Sequence, residues 1–120
     1  MTDATIAQFV AELSEAYTGA AEAREGAATL VKLPNVQLPA GCQPSSTQAL
    51  VVLDRGQEKP RLLLKTKPRT PAGTDPRNVS PETIAGSGWF SFSFSLAWEK
   101  DRHTAVQFVE GALRRFAKNE

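Results

Sequence analysis

An α+β fold is predicted by three features of this 120-residue chain: a helical apolar repeat at its start, short β-branched or alternating runs through its middle, and a second helical stripe near its end. The length is close to the commonest size of one domain, so residues 1–120 are read as a single domain around one core. A hydrophobic fraction of 41% and a charged fraction of 22% are ordinary for such a chain.

The first helix rests on Ile6, Phe9, Val10, Leu13 and Tyr17, which follow i, i+3, i+4 spacing, with Thr2 or Asp3 to cap it. Thr18–Thr29 is alanine-rich and has no strong apolar stripe. It either extends the helix or forms a linker, and Gly19 and Gly26 favour the linker. Leu30–Leu38 reads as the first strand, confined by Pro34 and Pro39 to an edge or a bulge. Gln48–Leu53 is the second, closed by the turn chemistry of Asp54-Arg55-Gly56. Arg61–Lys65 is the third, and the span between the last two suits an antiparallel hairpin.

Thr66–Gly88 holds Pro68, Pro71, Pro76 and Pro81 and reads as a long irregular loop. Loops of that length inside a compact domain are usually functional or disordered. Trp89–Trp98 then alternates in period two. Phe90, Phe92 and Phe94 point to one face, which is expected to be buried, and Ser91, Ser93 and Ser95 to the other. The last helix spans Thr104–Lys118. Ala105, Val109, Ala112, Leu113 and Phe116 form its stripe, flanked by Val106 and Phe108. Asp101 stands near its N-cap, and Arg114, Arg115 and Lys118 complement its dipole. The predicted order is therefore an N-terminal helix, an antiparallel β-meander, a long loop, a strand-like segment and a C-terminal helix.

Composition excludes several functions. A net charge of +1 leaves no basic footprint for nucleic acid, and it is too balanced for a polybasic membrane binder or an acidic chaperone. One cysteine, Cys42, and one histidine, His103, form neither a disulfide framework nor a zinc-ligand spacing, so no metal is expected. No run approaches the roughly 18 apolar residues of a membrane span. The start, MTDATIAQF, lacks the basic and apolar regions of a secretory leader, and the expected location is the cytoplasm, which a free thiol fits. There is no GxSxG, Walker loop or GxGxxG, and no cofactor is expected.

Five residues are weighed for chemistry. Cys42, in Leu38-Pro39-Ala40-Gly41-Cys42-Gln43-Pro44, is a poor nucleophile, because no histidine or CxxC partner stands near it in sequence to lower its pKa. A serine face on a strand ordinarily means a solvated or hydrogen-bonding face. In the sharper reading, Ser91 or Ser93 lies in a groove lined by the preceding loop. His103 and Asn78 would then supply the base or the oxyanion donor that a hydroxyl nucleophile needs. His103 also has a plain reading, as a packing residue at the start of the last helix.

The run Leu-Pro-Asn-Val-Gln-Leu-Pro-Ala-Gly-Cys (33–42), then QALVVL and RLLLK, resembles the opening of prokaryotic E2-like domains. Those carry a Leu/Ile-Pro-x-Gly-Tyr turn before their second strand, and Cys42 stands at the aromatic's position. Gly88-Trp89-Phe90-Ser91-Phe92-Ser93, then Trp98 and a helix to Phe116, resembles the E2 stretch that follows the proline-rich loop. The resemblance covers nearly the whole chain without a diagnostic motif. It implies a UBC-like (ubiquitin-conjugating) fold in a bacterial ubiquitination-like pathway. The partners it implies are an E1-like adenylating enzyme, which consumes the ATP, and a ubiquitin-like protein.

The chain departs from the pattern twice: the His-Pro-Asn signature and the catalytic cysteine are both missing. Alignment on Trp98 puts the active position at Ser91 or Ser93, which implies a serine oxyester assisted by His103 or Asn78. The alternatives are a catalytically inactive E2-like or RWD-like binding module and, outside the family, a small α+β secretion-type chaperone, which the near-neutral pI of 7.9 disfavours.

Overall fold

Among the described residues, one helix, six strands and a second helix follow one another. The computed structural model describes residues 1–93, 98–99 and 102–117. The elements are α1 (Asp3–Ala16), β1 (Ala21–Glu25), β2 (Ala28–Gln37), β3 (Ser46–Asp54), β4 (Arg61–Leu64), β5 (Val79–Ile84), β6 (Ser87–Phe92) and α2 (Ala105–Leu113), which tightens into a 3-10 turn at Arg114–Ala117. All strand pairs are antiparallel, in a sheet of order β1-β2-β3-β4-β6-β5. The α+β class is thus observed. The meander runs only from β1 to β4, after which β6 inserts beside β4 and leaves β5 at the edge. Among the described residues, no helix is long and apolar enough to cross a membrane.

Both helices begin where a hydroxyl can take an orphan amide. Thr2 Oγ1 accepts from the Thr5 N–H at 3.1 Å. Thr104 forms a reciprocal capping box with Gln107. Asp101, expected near this cap, and Lys118 lie outside the described residues, as do Phe94 and Ser95. Glu12 Oε1 accepts from the Ala105 N–H at 2.7 Å, so a carboxylate on α1 meets the positive end of α2.

Three expectations need correction. First, Thr18–Thr29 is neither helix nor linker: it is β1 and the start of β2, joined across Gly26-Ala27. Gly26, at φ 60°, occupies the first turn position that a tight hairpin reserves for glycine. The Ala/Glu-rich strand has helical propensity, and β2's backbone overrides it. Second, of the edge or bulge expected for Leu30–Leu38 the edge is not observed, because β1 pairs with its start as far as Lys32, and the bulge is: Pro34 falls in a register break between Leu33 and Val36. Third, Thr66–Gly88 is not wholly irregular. Its last part is β5, a turn at Ala85-Gly86 with φ of 51° and 78°, and the start of β6. Pro81 sits on the edge strand, where its missing N–H costs no ladder bond.

The remaining loop, 66–78, is pinned at its start. Gln43 and Arg69 exchange backbone hydrogen bonds of 3.2 and 2.8 Å. Pro71 closes on Gly41 so tightly that a Cβ at Gly41, whose φ is 91°, would lie 2.9 Å from Pro71 Cβ.

The inner face of the sheet, including Val31, Val51, Leu64 and Phe92, packs beneath Ile6, Phe9 and Leu13 of α1 and Phe108, Val109 and Ala112 of α2. Phe9, Trp98 and Phe108 meet edge to face with centroids 5.5–5.8 Å apart. The outer face has its own buried cluster, Leu30, Leu50, Val52, Leu63, Ile84 and Trp89. Strand β6 therefore buries aromatics on both sides, Phe92 inward and Trp89 outward, and the face that carries Ser91 is not a plain polar one.

Candidate functional site

The two candidate serines lie in different surroundings. Ser91 stands on the outer face between Leu63 of β4 and Ser80 of β5, half-buried, and its hydroxyl donates to the Ser80 carbonyl at 3.3 Å. Arg61 of β4 and Glu82 of β5 flank β6 and join in a two-pronged ion pair of 3.1 and 2.8 Å that crosses this face. Hydrogen bonding from Arg61, more than its charge alone, holds the Glu82 carboxyl below its usual pKa.

Ser93 is exposed, one residue beyond the end of β6. Its N–H donates to the Asn78 carbonyl at 3.3 Å, and its carbonyl accepts from Arg115 Nε at 2.9 Å. Arg115 Nη2 donates to the Arg77 carbonyl, so one guanidinium ties the end of β6 to the residue before Asn78. Asn78 is itself exposed and left-handed at φ 57°, a conformation that asparagine tolerates better than most residues. The structure thus joins Ser93 to Asn78, through the backbone, and adds Arg115.

In the sequence, Arg115 stands out only as a complement to the helix dipole. Its partners lie 22 and 38 residues away, a separation that no local pattern reports. Arg115 Nη1 is buried with no hydrogen-bond partner among the described residues.

His103 belongs elsewhere. Its Nδ1 accepts from the Glu99 N–H at 3.0 Å, and its own N–H donates to the Glu99 carbonyl, closing a turn beside Trp98. It lines a cleft of about 300 Å³ with Gln8, Phe9, Glu12 and Trp98, whose lining includes neither serine nor Asn78. Among the described residues, no hydrogen bond joins His103 to Ser91, Ser93 or Asn78.

Cys42 is buried at 5% exposure, and its thiol donates to the Phe116 carbonyl at 3.3 Å. Burial raises its pKa, the wrong direction for a nucleophilic thiolate. Among the described residues, no group of His, Cys, Asp and Glu is arranged to hold a metal ion.

What this corner offers chemically is an exposed hydroxyl residue on a backbone held from two sides, with a cation beside it. No protein family model, curated protein or solved structure matches the chain at a significant level, so the site stands on its own geometry.

Proposed function

We propose that this chain is an E2-like carrier of UBC-like fold that accepts a ubiquitin-like protein on Ser93 as an oxyester. The observation that carries the reading is the Ser93 corner: an exposed serine just past β6, its amide on Asn78 and its carbonyl on Arg115. Ser91 is the lesser candidate, because its hydroxyl is spent on Ser80 beneath the Arg61–Glu82 pair.

In the proposed reaction, Ser93 Oγ attacks the thioester that an E1-like adenylating enzyme holds. The C–O bond forms as the C–S bond breaks, and the hydroxyl proton leaves with the thiol. A target amine then forms a C–N bond as the C–O bond breaks, and Ser93 recovers its proton. Arg115 acts as a positioning residue: its bonds to the Ser93 and Arg77 carbonyls hold the backbone that carries the hydroxyl. The carrier works in the cytoplasm, and ATP is consumed by the E1-like partner.

A second reading, a binding module without chemistry, is favoured by one observation: the Nδ1 of His103 is committed to the Glu99 amide, away from the serines. One experiment separates the two. The protein is incubated with an E1-like enzyme, a ubiquitin-like protein and ATP, and followed by intact mass. The carrier forms an adduct that resists thiol reductant and yields to hydroxylamine, and Ser93→Ala abolishes it without unfolding the chain. Binding to the E1-like enzyme with no adduct identifies the module. An adduct that survives in both Ser93→Ala and the Ser91→Ala/Ser93→Ala double variant rejects the serine assignment.

A further inference from the structure

We propose that the free edge of β1 is a self-recognition surface: two copies of this chain join β1 to β1 about a twofold axis, so that one sheet continues into the other. β1 lies at the end of the sheet, pairs with β2, and all of Ala21–Glu25 is exposed. The two-residue turn fixes its hydrogen-bond phase. Glu25 and Ala28 close the hairpin as a bonded pair, so Ala23 and Ala21 also face β2. The N–H and C=O groups of Glu22 and Arg24 therefore aim out of the sheet.

An antiparallel copy centred on Ala23 sets Glu22 opposite the partner's Arg24 and Arg24 opposite the partner's Glu22. The residues whose backbone groups are free are the ones whose side chains are complementary. At the centre, alanine meets alanine, small enough for the close approach of about 4.5 Å in a non-bonded pair. This is the self-complementary pattern that a twofold contact requires. The opposite edge, β5, has Pro81.

A second feature lies alongside. Between α1 and β1 runs a groove of about 410 Å³ lined by the apolar Ile6, Ala7, Val10 and Ala11 and by the charged Asp3, Glu22, Arg24 and Arg55, with Ala7 and Ala11 exposed. A twofold axis perpendicular to the sheet keeps both inner faces on one side. The two α1 helices and their grooves then flank the seam on the same side.

Sedimentation of the full chain tests the inference independently of any carrier activity. The wild-type chain associates to dimer as concentration rises. Glu22→Arg alone, and Arg24→Glu alone, give edges of one charge sign and sediment as monomers. Mixed in equal amounts, these two monomeric variants regain the dimer, because each edge then meets its opposite. At concentrations where the wild-type chain is itself monomeric, all variants keep its thermal midpoint, since both side chains are exposed. Association of the single variants equal to wild type, or failure of the mixture, overturns the proposal. A wild-type chain that stays monomeric at its highest soluble concentration also overturns it, and leaves the edge to an extended segment of another protein.

Discussion

The loop 66–78 runs between two corners that hold the chain's contrasting nucleophile candidates. At the Cys42 corner, the Gln43–Arg69 bridge and the Gly41–Pro71 contact close the turn, and the thiol is sealed beneath Phe116. At the Ser93 corner, hydrogen bonds to the Asn78 carbonyl and from Arg115 hold the chain but leave the residue in solvent. Intrinsic reactivity favours sulfur, and accessibility favours oxygen. Burial decides, because it raises the thiol's pKa and removes its approach path.

The contrast can be broken from the closed side first. Gly41→Ala forces a left-handed alanine against Pro71 and is expected to cost roughly 2–3 kcal/mol, read as a lowered denaturation midpoint. The same variant should speed alkylation of Cys42, which in the parent chain waits on unfolding. Unchanged stability would mean that Pro71 yields and the corner is not closed by this contact. From the open side, Arg115→Ala removes the bonds to Ser93 and Arg77 and is expected to cost about 1–2 kcal/mol. Arg115→Lys should recover only part of this, because an ammonium cannot span both carbonyls as a fork does.

A smaller effect sharpens the comparison by loosening the cover over Ser91. Glu82→Gln should lower stability at neutral pH by no more than about 0.5 kcal/mol, given how exposed the pair is. The folded carboxyl titrates below its unfolded value. Its contribution is therefore present above the unfolded pKa, near 4.5, and is lost as pH falls through the depressed value. The variant and parent should converge in acid; a gap that persists there would assign the loss to packing.

Where apolar periodicity was strong, the sequence was legible. Ile6, Phe9 and Leu13 mark α1 and are buried on it, and QALVVL lies within β3. Two hairpins escaped for different reasons. β1 is built of helix-forming residues with both faces exposed, so neither propensity nor alternation marks it; only the Gly26-Ala27 turn does. The β5–β6 turn uses Ala85 where asparagine is the usual partner of the following glycine, and Ala85 accepts φ 51° without advertising it. At the candidate site, Ser91, Ser93 and Asn78 were visible as residue types, but their separation into a covered and an open hydroxyl depends on Arg61, Glu82 and Arg115. Those side chains reach across strands, and no sequence spacing encodes their meeting.

The insertion of β6 beside β4 has a consequence for how the molecule breathes. The β5–β6 hairpin is local in sequence and meets the rest of the sheet through a short ladder, Leu63 opposite Ser91 and Leu64 opposite Phe90. The outer cluster around Trp89, the bond from Lys65 Nζ to the Gly88 carbonyl at 2.9 Å and the Arg61–Glu82 pair reinforce that junction. In native-state hydrogen exchange, the hairpin's amides should open as one cooperative group at lower free energy than those between β2 and β3. Ser93 rides on the trailing end of that group, so the same excursion would swing the open corner away from the helices while the sealed cysteine stays where it is.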